Sequence, residues 1–516
     1  MERYLNTFDA SVEDFPVNRR DFLAVSGLAA LGLRARPALG GVPRDVRSMT
    51  RRADVTLRIG PVSLELAPGR VVRTVGYNGQ APGPLLRMRD GAEATIDVVN
   101  DLDYDEIVHW HGQLIPSAVD GSSEEGTPAV PAHGNRRYTF KVGPSGTRWY
   151  HTHSRAGSHL GRGLYSGQFG FFVVDPASEP GRYDREVFLA LREWNAFFTS
   201  TEMEEPDENM TAAERRAFDE KVAAMARKNA GKPNGWEVGY RHFSINNRSL
   251  GHGDPIRVKS GERVLFRVLN ASATESRKLA LPGHRFTVIA LDGNRVPTAA
   301  AVDVLAIGPA ERVDAIVEMN QPGVWVMGVT HNDDRKNGMG IVVEYAGRTG
   351  SAVWRKPANS AWDYTAFGLA GATQPESRDT AVERVDLSFG KINGGKGGFN
   401  RWTINGKSYP ERGGSLMGPA SEPDIDPIRV HAGRRYRLAF TNEADDAHPI
   451  HLHRHIFELK SIDGKATSGV MKDTVLLKGF GRAEVEFVAN NPGPTLFHCH
   501  QQLHMDYGFM TLVEYV

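Results

Sequence analysis

The sequence predicts an all-β protein made of three copies of one domain, with a short helical insertion in the middle copy. Three observations lead there. A segment pattern recurs three times at domain-sized spacing. The 55 glycines and 29 prolines of the 516 residues suit a turn-rich β protein better than a helical one. Short alternating runs such as Arg263-Val264-Leu265-Phe266-Arg267-Val268 lie between Gly and Asn turn signals, as half-buried strands do.

The repeated pattern is a Pro-led run, a glycine turn and a strand ending in Asn. It reads Pro84 to Gly91 then Thr95 to Asn100, Pro255 to Gly261 then Val264 to Asn270, and Pro427 to Gly433 then Tyr436 to Asn442. The glycines are 170 and 172 residues apart, so the unit is a domain and not a short solenoid repeat. A second shared element comes late in each copy, at Gly146 to His151, Gly323 to Met327 and Gly493 to His498.

In chain order, residues 1–42 read as an address label. Asn18-Arg19-Arg20-Asp21-Phe22-Leu23 leads into an apolar run from Ala24 to Leu33 that resembles a twin-arginine export signal. The run falls well short of the roughly 20 apolar residues that span a bilayer, so no stable membrane insertion is expected. The first domain is expected over 43–177, the second over 178–346, a linker over 347–379 and the third over 380–516. The helical insert is placed at about 211–230: Thr211 with Glu214 forms a capping box, Phe218, Val222 and Met225 mark an apolar stripe, and Gly231 with Pro233 stops it. It could form a lid at a substrate entrance, or a solvated helix packed by one face. Lys plus Arg and Asp plus Glu both total 62, and nothing in that balance suggests a nucleic-acid partner.

The chemistry lies in four clusters. They are His109-Trp110-His111-Gly112, His151-Thr152-His153, His448-Pro449-Ile450-His451-Leu452-His453, and His498-Cys499-His500 with His504. Cys499 has no second cysteine to pair with, and a thiolate flanked by imidazoles is a donor set that copper favours. On a strand, alternate side chains share a face, so each His-x-His pair can offer two imidazoles to one site. In His498-Cys499-His500 the same alternation sends the thiolate the other way, joining two metal centres through one backbone segment. The middle copy has only His331 in the equivalent region, which makes it a spacer in this reading. His133, His159, His242, His252, His284, His431 and His455 also lack a partner at ligand spacing and are read as structural.

In order and spacing, these four motifs resemble those of the multicopper oxidases over roughly residues 45 to 516. The resemblance implies three cupredoxin-like Greek-key β-barrels, with four copper ions: one type 1, one type 2 and two type 3. By motif position His448, Cys499 and His504 are the type 1 ligands and His109 and His451 the type 2 ligands. His111, His151, His153, His453, His498 and His500 serve the type 3 pair, without assignment to individual ions. Cys499, His498 and His500 form the electron route, and Asp120 matches the family's proton-relay acid, although Asp-Gly is also a turn dipeptide. The axial type 1 position falls on Phe509, beside Met510, and a side chain unable to coordinate implies a comparatively high potential. The glutamate that many bacterial relatives place after the last type 1 histidine is Met505 here, followed by Asp506.

The resemblance implies a laccase-like oxidase: single electrons from phenols or aromatic amines enter at type 1 copper, and O2 is reduced to water at a trinuclear cluster. A metallo-oxidase for Cu(I) or Fe(II) is the alternative, for which the acidic run Glu202 to Glu208 is a conceivable docking patch. The complete set of eight trinuclear histidines argues against a pure electron-transfer protein. Expected partners are a small-molecule reductant or metal ion, O2 and the twin-arginine export machinery, with a periplasmic or secreted location.

Overall fold

The computed structural model describes residues 52–177, 182–200, 210–228, 232–359, 361–371, 382–410 and 425–516. The twin-arginine motif, the acidic run Glu202 to Glu208 and part of the expected linker lie outside these residues.

Six sheets form three face-to-face pairs. The first pair joins a sheet of Val55–Ala67, Arg70–Tyr77, Glu93–Asn100 and Asn135–Lys141 to one of Leu86–Arg89, Phe169–Asp175, Gly146–Thr152 and Val108–His109. The second and third pairs each have six strands on one side and five on the other. All three share two parallel pairings. A long strand runs beside the Asn-terminated strand (Val55↔Ile96, Val264↔Arg185, Val382↔Arg435), and the Pro-led segment runs beside the last strand (Leu86↔Phe172, Ile256↔Val343, Ile428↔Val513). Antiparallel neighbours complete each sandwich, giving the cupredoxin-like architecture expected from the sequence.

Alternation builds the cores. In Arg435–Asn442, Leu438 and Phe440 are buried, and Val485 and Phe487 of the antiparallel partner Arg482–Val488 face the same core. Burying side chains of this size stabilises by about 1.5–3 kcal/mol each. The second and third domains share one continuous apolar core that includes Cys499.

The expected insertion is the helix Ala212–Lys228. Its capping box is formed: Thr211 N–H donates to Glu214 Oε2 at 2.7 Å and Glu214 N–H to Thr211 Oγ1 at 3.2 Å. Phe218 packs edge-on against Phe480 of the third domain, 5.4 Å between centroids, so the apolar stripe docks on a neighbouring domain. The linker region is anchored as well. Tyr364 and Phe367 are buried in a short 3-10 turn, and the Tyr364 hydroxyl donates to Glu311 at 2.6 Å.

Candidate metal centres

Strand pairing brings the four clusters together. Val108–His109 pairs with Gly146–Thr152 so that His109 lies opposite His151, and His448–Leu452 pairs with Thr495–Cys499 so that His451 lies opposite His498. Gly112 closes the first cluster because a side chain there has no room. It has φ +82°, and a Cβ would stand 2.8 Å from Asp473 Oδ2 and 2.9 Å from Arg148 Cδ.

The donor atoms fall into compact buried groups, each within 4.8 Å: His448, Cys499 and His504; His109, His111 and His451; His111, His151 and His500; and His153, His453 and His498. All twelve site residues proposed from the sequence are buried. Cys499 Sγ lies 3.7 Å from His448 Nδ1 and 3.6 Å from His504 Nδ1, while His498 and His500 face the other way into two different groups. The alternation expected of this strand is what the geometry has.

Tautomers are set by the second nitrogen of each ring. His109 Nδ1 meets Asp120 O at 2.9 Å, His451 Nδ1 meets Asp473 O at 2.7 Å, and His498 Nδ1 meets Cys499 O at 2.8 Å. The opposite nitrogens of His109 and His451, with Nε2 of His153 and the ring of His500, are buried without a protein partner. Buried polar atoms are normally satisfied, so this many convergent lone pairs marks metal-donor sites. Burial, and after it mutual repulsion or nearby cations, pushes His111, His151, His451, His453, His500 and His504 far below the ordinary imidazole range. Burial likewise holds His448 at about 3. A neutral imidazole is the form that binds a metal.

Phe509, not Met510, faces the thiolate group. Its ring is 4.7 Å from that of His448, and its carbonyl accepts from Cys499 N–H. Met510 Sδ instead accepts from Arg155 Nη2 at 3.2 Å. On the other flank Trp402 lies against His504, 3.8 Å between centroids, with the buried Lys391 ammonium 5.5 Å from the indole. Lys391 pairs with Asp445 at 2.6 Å and Asp446 at 2.8 Å.

Asp120 Oδ2 touches two imidazoles, His453 Nδ1 at 2.9 Å and His109 Nδ1 at 3.1 Å. Burial acts to raise its pKa, but the charge and hydrogen bond of His109, with smaller contributions from Glu125 and Arg454, hold it below the usual carboxylate range. Glu125 is its buried partner, pushed well up by desolvation and then by the charge of Asp120. Of the two, Glu125 is the side on which a shared proton is favoured. The sequence reading missed Glu125, which sits in Ser122-Ser123-Glu124-Glu125-Gly126 and looks like a turn. Asp506, considered there as a second acid, accepts from the Ala156 and Gly157 N–H groups at 3.0 and 2.7 Å.

Asp473 was also missed. Its Oδ1 lies 3.1 Å from His111 Nε2, and its carboxylate is gripped by Arg312 of the middle domain, Nη1 to Oδ1 at 2.8 Å and Nη2 to Oδ2 at 2.5 Å. The middle domain is thus more than a spacer. His331, its lone histidine in the motif region, caps the Asn332–Lys336 helix.

Residues 60–179, 218–346 and 395–516 each match a family model described as multicopper oxidase. The chain is 29% identical to multicopper oxidase MmcO of Mycobacterium tuberculosis, over 97% of each chain. A solved multi-copper oxidase from Pseudomonas thermotolerans superposes with TM-score 0.63 at 25% identity, covering 90% of this chain and 100% of that one. A laccase from Botrytis aclada shares the fold, with TM-score 0.69 at 19% identity over 91% and 89%.

Proposed function

The chain belongs to the multicopper oxidase family, and on that premise we propose a laccase-like role: oxidation of phenols or aromatic amines, one electron at a time, with O2 as the acceptor. It is a copper-dependent oxidoreductase. The observation that carries the proposal is the set of four donor groups joined through His498-Cys499-His500. Their chemistry fits copper: one thiolate with two imidazoles, and eight further imidazoles with converging lone pairs.

His448, Cys499 and His504 would hold type 1 copper, with the Phe509 ring packed beside them, unable to add a ligand. His109 and His451 would hold type 2, His111, His151 and His500 one type 3 ion, and His153, His453 and His498 the other, four ions in all. Copper at these groups supplies one-electron acceptance from the donor and four-electron reduction of O2 to water.

The protein's own contribution is a route and a proton supply. Cys499 is covalently continuous with His498 and His500, so an electron arriving at the thiolate crosses by a short bonded path. Asp120, touching His109 and His453, is placed to pass a proton needed for water formation, and Glu125, whose pKa burial pushes up, stands behind it as the reserve.

The domain limits 43–177, 178–346 and 380–516, the signal over 1–42 and export through the twin-arginine machinery to the periplasm or medium belong to the same proposal. An export signal for folded proteins suits an enzyme whose metal groups are buried.

The test is oxygen uptake by copper-loaded protein with a phenol, an aromatic diamine, Fe(II) and Cu(I), beside Cys499→Ser. Uptake on the organic donors that disappears in the variant supports the reading; uptake on the metal ions alone overturns it.

A further inference from the structure

A cavity of about 250 Å³ opens beside the thiolate group, and His504 is one of its walls. The ring is 2% exposed, so an outer-sphere donor meets it through this space. The helix insertion supplies one side with Phe218, Val222, Arg215 and Asp219. Val238 and Leu503 add apolar surface, and Glu237, Glu275, Asp445 and Asp446 bring the wall carboxylates to five.

Among the described residues, Arg215, Lys391 and Arg277 stand against Asp219, Asp445, Asp446 and Glu275. Arg215 Nε is 3.0 Å from Asp219 Oδ1 on the adjacent helical turn, which cancels that pair. Lys391 lies between Asp445 and Asp446, one ammonium for two carboxylates. Burial pushes Glu275 up to about 7, and Arg277, whose charge acts against that rise, is itself paired with Glu193 and Asp334. The cavity therefore combines an apolar, aromatic-bearing wall with a negative balance.

We infer that this cavity selects aromatic reductants carrying a positive charge, an ammonium-bearing phenol or catechol, over neutral and anionic ones. The inference rests on the assignment of His448, Cys499 and His504 as the type 1 site. The apolar face of Phe218, Val222, Val238 and Leu503 suits a ring, and the carboxylates suit the ammonium. A bare metal ion would leave that apolar face without a partner, and the described wall offers no thioether to Cu(I).

Three catechols of similar size test it: one bearing an aminoethyl group, one a methyl and one a carboxymethyl. With copper-loaded enzyme at pH 8, above the Glu275 value of about 7, and low salt, kcat/KM should fall in that order. In Glu237→Gln and in Glu275→Gln, kcat/KM should drop about three- to sixfold for the ammonium catechol and rise for the carboxylate, as expected for one charge about 4 Å away in water. Changes of opposite sign exclude general damage to the protein. Raising the ionic strength should compress the order in the unaltered enzyme.

Equal kcat/KM for the three donors, or variants that shift all three alike, would overturn the inference. Fe(II) with a higher kcat/KM than the ammonium catechol, and a larger loss in Glu237→Gln, would overturn it in favour of a metal ion. Anaerobic bleaching of the Cys499 charge-transfer band separates the levels: bleaching by all three at one rate overturns charge selection alone, whereas no bleaching by any of them overturns the type 1 assignment as well.

Discussion

Replacing Arg312 by Met removes the middle domain's grip on Asp473 and, through it, on the His111 and His451 groups. All five guanidinium N–H groups are used: two on Asp473, the others on Ala310 O at 2.9 Å, Asp292 O at 3.1 Å and Thr147 O at 3.2 Å. Both side chains of the Arg312–Asp473 pair are 0% exposed, so Arg312→Met leaves a carboxylate with no water to solvate it. Breaking a buried pair from one side costs about 3–5 kcal/mol, a large part of a typical total of about 5–15. Arg148 Nη1, 3.7 Å from Asp473 Oδ2, takes over some of the pairing and places the loss near the lower end. Urea denaturation of the metal-free protein measures it. Arg312→Met/Asp473→Asn should recover roughly 1–2 kcal/mol of the loss, because the stranded charge is gone. A single-variant loss under about 1 kcal/mol, or a double variant equal to the sum of its parts, would refute the argument. In the copper-loaded protein, Arg312→Met should also alter the type 2 electron spin resonance signal, since Asp473 contacts both His111 and His451.

Phe509→Met should lower the type 1 potential, read by redox titration of the blue band; an unchanged potential would mean the axial position lies elsewhere. Asp120→Asn should cut turnover by about 100-fold with copper content retained, by loss of a positioned proton carrier, and full turnover would remove Asp120 from the relay. Acid should destabilise the metal-free protein. His448 and His498 sit at about 3 and about 4 when folded against 6.5 unfolded. Below pH 6.5 the unfolded chain therefore takes up protons that the folded one refuses. Stability present above pH 6.5 then declines by about 1.4 kcal/mol per pH unit for each such histidine until its folded pKa is reached. Urea midpoints at pH 7.5 and 5 check the sign.

The histidine clusters were legible because their spacing is local: strand alternation alone separates Cys499 from His498 and His500. Strand positions such as Arg263–Asn270 were legible for the same reason. The charges that serve the site were not. Asp473 meets His111 across 362 residues and Arg312 across 161, and neither contact leaves a periodic signal in the chain. Glu125 was hidden by its setting, since a Ser/Glu/Gly run reads as a turn whether or not its second acid is buried. The helix stripe Phe218, Val222 and Met225 was visible, but which surface it covers depended on Phe480 in another domain.

The helix insertion leaves Arg185–Thr199 and returns through Glu237–Ile245, two strands that pair antiparallel from Thr199↔Glu237 to Leu191↔Ile245. Departure and return points are thus next-door neighbours in a ladder that is complete without the excursion. Loop length between such points costs little, about 0.6 kcal/mol per doubling. Four of the thirteen residues lining the donor cavity, Arg215, Phe218, Asp219 and Val222, are therefore carried on an exchangeable segment, while the imidazole groups are held on or beside paired strands of the other sheets. Preference for the electron donor can drift, or be engineered, by replacing residues 200–236 with the oxygen-reducing half of the molecule left untouched.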